Sequence, residues 1–296
     1  MKRVVTAAVL IPIVLLIILR APLPVVAALA GVAALIGVRE LLDLSARHGV
    51  QPFRLPTYVF VIVLFVAVAF AGAEKPLVAT GVMMYAAGFA AVIAPFLFLI
   101  VGMKRADLRT AAPAAAAAVA AFTYVALPLG LLVQVRGLWA GAFLVLYLLV
   151  VVWVGDIAAY YTGRAFGRHK LAPRISPGKT WEGAIGSFIA AVIAGWLLFG
   201  HAYDISLQLL QVGLIEQAQG YLALQPPPLA TMLGLSAGIN IAAQLGDLAE
   251  SLVKRGAGVK DSGTIFPGHG GMLDRIDALL LAAPVLWYYA AWRVIS

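Results

Sequence analysis

The sequence predicts an all-α, polytopic integral membrane protein of about nine transmembrane helices, with a cytoplasmic N-terminus and a C-terminus outside. Two observations predict this class. The 296 residues are 63% hydrophobic and only 11% charged, and uncharged runs of about 20 residues, enough to cross a bilayer, recur along the chain. The cations also fall mainly into alternate connections between these runs, which sets the orientation.

The apolar runs follow one another with short polar connections. The first begins after Lys2 and Arg3 like a signal peptide, but no small-x-small cleavage site follows it, so we expect a retained helix rather than a cleaved leader. Pro22 and Pro24 would lie at the turn of a tilted hairpin made by the first two runs. The candidate spans are 4–19, 21–38, 55–73, 77–102, 111–135, 137–162, 183–203, 229–247 and 276–293.

The charge distribution favours one orientation. With the N-terminus inside, 17 of the 21 Lys and Arg residues fall on the cytoplasmic side, as the positive-inside rule requires. The net charge of +8 is then explained by basic loops that face anionic headgroups and cytosolic anions, so nucleic acid is not an expected partner. The chain has no cysteine, so a metal would be held by oxygen or imidazole ligands.

The first unusual inside region is residues 153–183. Its glycines and prolines alternate with cations in a pattern that suits a phosphate-binding loop, although an ordinary positive-inside loop explains the same pattern. The segment PGKT does not complete a P-loop, because Pro173 stands where the first glycine is required. Asp156 lies in apolar sequence, where an unpaired carboxylate costs about 2.5–3.5 kcal/mol, so it either pairs with an arginine or serves a nucleotide or a metal. The cations are Arg164, Arg168, Lys170, Arg174 and Lys179.

The second unusual region extends from the end of the eighth span into the ninth. Asp247 lies near the membrane boundary, and Glu250 follows it three residues later on the same helical face. Asp274 and Asp277 have the same spacing at the start of the last span, after a glycine-rich stretch. Carboxylates beside lysines and a turn that presents N–H groups are what Mg²⁺ bridging phosphates requires. No HExxH or Cys-His spacing indicates zinc.

Residues 251–277, SLVKRGAGVKDSGTIFPGHGGMLDRID, resemble the signature of the bacterial phosphatidate cytidylyltransferases, also called CDP-diacylglycerol synthases. The matching parts are the Ser-x-x-Lys-Arg start, the Lys-Asp pair and the His-Gly-Gly-x-x-Asp-Arg-x-Asp end. Region 153–183 is similar to the second cluster of that family. Its matching residues are Trp153, Asp156, Tyr160, Gly163, Arg164, Gly167 and the segment SPGKTWEG. Length and multi-span topology agree over most of the chain, although the first four helices are generic.

The resemblance implies transfer of CMP from CTP to phosphatidic acid, giving CDP-diacylglycerol and pyrophosphate, in the bacterial cytoplasmic membrane with the active site facing the cytoplasm. It also implies Mg²⁺, a second cation such as K⁺, and a possible homodimer. Residues 1–135 would then form an N-terminal region of about five spans. Residues 136–296 would form the catalytic region, with cytoplasmic loops 163–182 and 248–275.

The resemblance also implies roles for individual residues. Asp247, Asp274 and Asp277 would hold Mg²⁺ directly or through water, with Asp261 as a further ligand or positioning group. The triphosphate and the departing pyrophosphate would be neutralised by Lys254, Arg255, Lys260 and Arg275. Nucleotide or lipid phosphate would be held by Arg164, Ser176, Lys179 and Thr180. Asp156 would position a base or join the ion network, and His269 would contact phosphate or hydrogen-bond its own loop.

Two other functions fit parts of the sequence. A lipid or small-molecule transporter or flippase would also place polar residues at membrane depth, but the sequence has no clear inverted repeat and its charged motifs crowd one membrane face. A CTP-dependent enzyme acting on another lipid acceptor, such as a polyprenol, would share CTP and Mg²⁺. A hydroxyl acceptor would additionally need a general base.

Overall fold

The fold of the chain is known here from a computed structural model that describes residues 12–71, 76–138, 140–215, 227–266 and 270–295. Residues 12–20 are helical. The following helices are α1 (Leu23–Arg47), α2 (Arg54–Ala71), α3 (Pro76–Val92), α4 (Ala94–Gly102), α5 (Ala111–Ala121), α6 (Leu127–Gly137), α7 (Gly141–Phe166), α8 (Trp181–Gly200), α9 (Ala202–Gln211), α10 (Leu229–Gly256) and α11 (Leu273–Ile295).

The membrane class is confirmed. Six helical segments of the described chain are long and apolar enough to cross a bilayer, or seven if the α3–α4 pair, bent by 43°, is one span. The bend has a local cause, since Pro95 in the first turn of α4 has no N–H to continue the preceding helix. A 3₁₀ turn (Leu108–Thr110), α5, a π-helical turn (Phe122–Ala126) and α6 together form one such segment. The total of nine spans and the positions of both termini stay predictions.

The structure adds one element that the sequence analysis does not predict. Two short antiparallel strands, β1 (Lys170–Ala172) and β2 (Ser176–Thr180), form a hairpin between α7 and α8. The hairpin is fixed to the start of α8, because the backbone N–H of Trp181 donates to the His169 carbonyl and the Glu182 carboxylate accepts from the His169 backbone and ring. A cation-bearing segment that reads as an irregular loop in sequence therefore has a defined backbone.

The described chain divides into two compact units. The first comprises residues 1–21, 135–252 and 277–296 and is called the α7 unit; the second comprises 22–134 and 253–276 and is called the α1 unit. The predicted division into residues 1–135 and 136–296 stays a prediction. Neither unit is continuous in sequence, since the 253–276 stretch groups with the N-terminal helices and residues 12–21 group with the C-terminal ones.

In the α1 unit, small residues and aromatic rings hold the helices together. A side chain at Gly31 would come within 3.2 Å of the Phe65 ring, so α1 and α2 are in close contact there. The ring of Phe60 lies 5.3 Å from that of Phe98 and 6.4 Å from that of Phe122, in edge-to-face geometry. Close backbone approach and aromatic contacts are the usual means of packing helices in lipid.

In the α7 unit, buried polar pairs join the helices. Tyr147 and Ser236 share a hydrogen bond of 2.7 Å between α7 and α10, and the Asn240 amide donates to the Ser187 hydroxyl over 2.9 Å between α10 and α8. Gly155 lies beside the second pair. Polar side chains in an apolar span need such partners, and these pairs fix how α10 is rotated against its neighbours.

Gly155→Ala is expected to lower the stability of the protein by about 1–3 kcal/mol, the usual cost of overpacking. A Cβ at this position would lie 2.5 Å from the Asn240 amide nitrogen and 2.9 Å from the Ser187 hydroxyl. The check is the midpoint of thermal unfolding in one detergent. Gly200→Ala, where a Cβ would meet nothing within 4 Å, is the matched control. Equal midpoints for the two variants would contradict this view of the interface.

Candidate active site

In the α7 unit, the structure brings Asp156, Lys179 and Asp247 together. The Lys179 ammonium, at the end of β2, lies 2.8 Å from a carboxylate oxygen of Asp247 on α10. Asp156 on α7 interacts electrostatically with both of them. Lys179 is thus ion-paired with Asp247 and lies within electrostatic range of Asp156, and the Asp247 side chain remains 36% exposed. Of the two roles predicted for Asp156, this geometry favours membership of an ion network.

Asp277 is brought close to the same part of α10. A Cβ at Gly246 would lie 2.7 Å from the Asp277 carbonyl oxygen, so α10 and α11 cross with their backbones nearly in contact beside Asp247. The Asp277 carboxylate accepts a hydrogen bond of 2.8 Å from the backbone N–H of Ala278. The sequence analysis placed Asp247 and Asp277 in one site, and within the α7 unit the glycine at 246 makes this approach possible.

A row of polar residues on α10 leads to Asp247. Ser236, Asn240, Gln244, Asp247 and Ser251 follow one another at intervals of three or four residues and therefore lie on one helical face. The Gln244 amide nitrogen donates to the Asn240 side-chain oxygen over 2.6 Å, and the Ser251 hydroxyl lies 3.4 Å from Asp247. The sequence analysis did not identify this row, although its helical spacing is visible in the sequence.

The remaining predicted phosphate-binding residues of this unit lie around the hairpin. The Arg164 guanidinium is exposed and donates to the Tyr160 hydroxyl over 3.1 Å. Ser176 is the first residue of β2. Thr180 is buried, and its hydroxyl accepts from the Gly183 N–H as the N-cap of α8. This bond explains why a threonine stands at that point, and phosphate binding by Thr180 stays a prediction.

In the α1 unit, Lys254 and Asp274 form a buried ion pair. Their side chains are only 11% and 6% exposed, and the Lys254 ammonium donates to one carboxylate oxygen of Asp274. The other oxygen accepts from the Ser262 N–H at 2.8 Å, the Ser262 hydroxyl at 2.8 Å and the Gly271 N–H at 2.7 Å. Both oxygens of Asp274 are therefore engaged by protein donors.

These donors set the ionisation of Asp274, which precedes the predicted last span. Burial alone raises its pKa, but the bonds from Lys254, Gly271 and Ser262 outweigh burial and hold the pKa below its ordinary value. Folding thus favours the ionised carboxylate. The resulting stabilisation is present at neutral pH and is lost only as the pH falls below the ordinary carboxylate range.

A third carboxylate of this unit, Glu40 on α1, was missed by the sequence analysis. It is only 6% exposed, and it accepts from the Ser262 hydroxyl at 2.9 Å, the Met272 N–H at 2.9 Å and the Leu273 N–H at 2.8 Å. Its place two residues after the second candidate span, 21–38, offered one usable signal, an acidic residue at the end of an apolar run. Its hydrogen-bond partners lie more than 220 residues away in the sequence, so no local pattern indicated them.

The glycines of the 260–277 stretch make room for these two carboxylates. A Cβ at Gly270 would lie 2.5 Å from an Asp274 oxygen, and a Cβ at Gly263 would lie 2.5 Å from a Glu40 oxygen. Gly270 also has a φ of +77°, in the region that glycine adopts readily. The four N–H groups of Ser262, Gly271, Met272 and Leu273 donate to carboxylates here, whereas the sequence analysis interpreted the turn as a phosphate cradle.

Four other predicted residues of this unit are solvent-accessible. They are Arg255, Lys260, Asp261 and Arg275, all exposed. The Arg255 guanidinium donates to the Val259 carbonyl over 3.0 Å, which closes the end of α10. His269 lies outside the described residues. The Lys260 and Arg275 side chains are accessible to an anionic ligand.

The carboxylates of the α7 unit fit Mg²⁺. No group of three or more His, Cys, Asp or Glu residues within metal-binding distance occurs among the described residues. Mg²⁺ does not need one, because it commonly takes one or two protein carboxylates and completes its shell with phosphate oxygens and water. The accessible Asp247, with Asp156 interacting nearby and the close approach of α10 to Asp277, has the donor chemistry of such a site.

Comparison with known proteins places the chain among cytidylyltransferases. A family model described as "Cytidylyltransferase family" matches residues 1–292. The phosphatidate cytidylyltransferase of Haemophilus influenzae is 44% identical over 149 residues, which are 50% of this chain and 46% of that protein. The enzyme of the same name from Brucella suis is 47% identical over 147 residues, 50% of this chain and 46% of the relative. That from Thermotoga maritima is 44% identical over 145 residues, 49% and 48% of the two chains. The chain thus spans about half the length of the curated relatives it matches.

Proposed function

Because this chain belongs to the cytidylyltransferase family, we propose that it transfers CMP from CTP to phosphatidic acid, giving CDP-diacylglycerol and pyrophosphate. The observation that carries the proposal is the Asp156, Lys179 and Asp247 cluster, whose two carboxylates lie on helices long and apolar enough to cross a membrane. A cation and two carboxylates on and beside such helices suit a reaction in which a lipid in the bilayer meets a polyphosphate from water. Relatives named phosphatidate cytidylyltransferase support the choice of acceptor.

The proposed reaction needs no general base. The phosphate monoester of phosphatidic acid is already anionic near neutral pH, so one of its oxygens forms a bond to the α-phosphorus of CTP. The bond from that phosphorus to the oxygen bridging to the β-phosphate breaks, and pyrophosphate leaves with the electron pair. In such transfers, catalysis rests on positioning and on neutralising charge.

The residues of this chain divide that work. Lys179 would bind phosphate of the nucleotide, and Arg164 would assist from the exposed side of the hairpin. Asp247 and Asp277 would hold Mg²⁺, which supplies charge neutralisation on the phosphate oxygens when bound. We also propose that Asp274 is a Mg²⁺ ligand and that K⁺ binds as a second cation. We place the protein in the bacterial cytoplasmic membrane with this site facing the cytoplasm, and a homodimer remains part of the proposal.

The experiment that tests the function is pyrophosphate release by detergent-purified protein given CTP, Mg²⁺ and phosphatidic acid. Diacylglycerol and a polyprenol serve as parallel acceptors, and EDTA is the control. Release that depends on Mg²⁺ and occurs only with phosphatidic acid is the expected result. Release with the polyprenol alone would assign a different acceptor. If folded protein releases no pyrophosphate with any acceptor, the result would contradict the proposal and favour the transporter.

Lys179→Ala is expected to raise the KM for CTP by about 10- to 100-fold, the range of one charge-assisted hydrogen bond. The variant removes the ammonium that lies beside Asp247 and leaves the backbone of the hairpin unchanged. The measurement is initial rate against CTP concentration at saturating phosphatidic acid. Lys104→Ala, which removes an exposed cation of the α1 unit, is the control. An unchanged KM would mean that Lys179 does not bind CTP and that the hairpin cations serve only to orient the chain in the membrane.

A further inference from the structure

Glu40 is a buried carboxylate of the α1 unit to which the proposed reaction assigns no role. A carboxylate with 6% exposure on a membrane helix would be costly if it had no partners. Here its two oxygens accept three hydrogen bonds, from Met272 on one side and from Leu273 and Ser262 on the other. All three donors belong to the stretch whose motif carries the family resemblance. The partners of Glu40 thus lie in one short segment rather than being spread over the unit.

Two glycines give independent support for this arrangement. The Cβ of an alanine at Gly263 would lie 2.5 Å from one Glu40 oxygen, and that of an alanine at Gly271 would approach both oxygens more closely still. Cβ atoms do not tolerate such distances, so both positions must lack a side chain for Glu40 to occupy its site. The glycine content of the motif is thereby explained in part by a residue outside it.

Glu40 is also connected to the Lys254 and Asp274 pair. The Ser262 hydroxyl lies 2.9 Å from a Glu40 oxygen and 2.8 Å from an Asp274 oxygen, and Asp274 binds the Gly271 N–H immediately before the two that Glu40 binds. Displacement of Glu40 would therefore release Ser262 and the first turn of α11 together. Asp274 would lose the fixed donors that orient it.

We propose that Glu40 is a positioning residue of the proposed transferase: from α1 it fixes Ser262 and residues 271–273, and through them it sets the orientation of Asp274 and Lys254. This inference rests on the proposed function. Glu40 touches no substrate in this scheme and acts through the residues it holds. Such outer groups typically change metal affinity or activity by about 10- to 100-fold when they are mutated.

Glu40→Gln tests the proposal, because the amide keeps the shape but turns an NH₂ group toward N–H or O–H donors. Asp43→Asn is the matched control, since Asp43 lies on the same helix in an exposed pair with Arg54. We expect kcat to fall about 10- to 100-fold and the free Mg²⁺ concentration for half-maximal rate to rise. The KM for phosphatidic acid should stay within about twofold of wild type. Asp43→Asn should match wild type throughout.

Hydrogen exchange provides a readout that does not depend on turnover. In Glu40→Gln, the backbone amides of Met272 and Leu273 should exchange faster than in wild type and in Asp43→Asn, while the unfolding midpoint in detergent changes little. Faster exchange with unchanged kcat and Mg²⁺ dependence would show that Glu40 is only a structural cap and would overturn the proposal. Unchanged exchange would overturn it as well.

Gly271→Ala disturbs the same contact by changing the residue that faces Glu40. This variant tests the proposal if Glu40→Gln does not fold. Its methyl group would collide with the Ser262 hydroxyl and with both Glu40 oxygens, so it breaks the Glu40–Ser262 contact, and a loss of kcat and faster exchange at least as large are expected. In the double variant the losses should add up to less than their sum, because both changes break that contact; fully additive losses would count against the proposal. Inactivity of wild type and Asp43→Asn alike would contradict the proposed function itself, whereas their full activity beside a fully active Glu40→Gln would contradict only the positioning role.

Discussion

Asp247→Asn is expected to reduce CMP transfer by about 10³-fold or more, the scale on which the loss of one key electrostatic group acts in such sites. The substitution keeps the shape of the side chain and removes its charge. Lys179 and Ser251 contact different oxygens of Asp247, at 2.8 Å and 3.4 Å. The amide oxygen can keep the Lys179 contact while the amide NH₂ donates to the Ser251 hydroxyl, so the local structure should persist. Membrane insertion and yield should therefore equal those of wild type while turnover is lost.

The measurement is kcat for pyrophosphate release at saturating CTP and phosphatidic acid, over a range of Mg²⁺ concentrations. Asp107→Asn, at the N-cap of the 3₁₀ turn in the other unit, is the control for loss of a carboxylate as such. A near-wild-type rate for Asp247→Asn would remove Asp247 from the proposed Mg²⁺ ligands. Partial activity restored by high Mg²⁺ would instead support weakened metal binding as the cause of the loss.

The sequence predicts what depends on local pattern. The membrane class follows from apolar runs of sufficient length, and the structure confirms it. Asp156 and Asp247 each stand out beside apolar sequence, and Lys179 is one of the five cations of region 153–183. Their proximity was not predicted, because it depends on how α7, the hairpin and α10 pack. The hairpin was not predicted either, because strands of three and five residues without apolar alternation carry no period-2 signal.

Glu40 shows more clearly why contacts between distant parts of the chain cannot be predicted from the sequence. Its contact with the Ser262 hydroxyl joins residues 222 positions apart, and no periodic pattern records a single contact of that separation. The glycines at 263 and 271 were visible in sequence, and a phosphate-binding turn was a reasonable interpretation of them. The structure gives these glycines a different local reason, which is that a Cβ would collide with a buried carboxylate. A glycine-rich motif can therefore indicate close approach by the protein itself as well as by a ligand.

Asp274→Leu is expected to destabilise the protein by about 3–5 kcal/mol, the range seen when one partner of a buried ion pair is removed. The substitution deprives the buried Lys254 ammonium of this carboxylate, and it also removes the acceptor of the Ser262 N–H, the Ser262 hydroxyl and the Gly271 N–H. Lys254→Met should cost less, because the carboxylate of Asp274 keeps those three donors.

The unfolding midpoint of the purified variants in one detergent measures this order, and the double variant Lys254→Met/Asp274→Leu separates charge from packing. Removing both charges leaves no buried ammonium deprived of the Asp274 carboxylate, so the double variant should be more stable than Asp274→Leu alone. It should nevertheless remain inactive, because the stability it regains comes from apolar contact and the proposed site still lacks both groups. If Asp274→Leu is as stable as Lys254→Met, the donors from Ser262 and Gly271 contribute nothing measurable. The pair would then owe its place in the chain to chemistry rather than to folding.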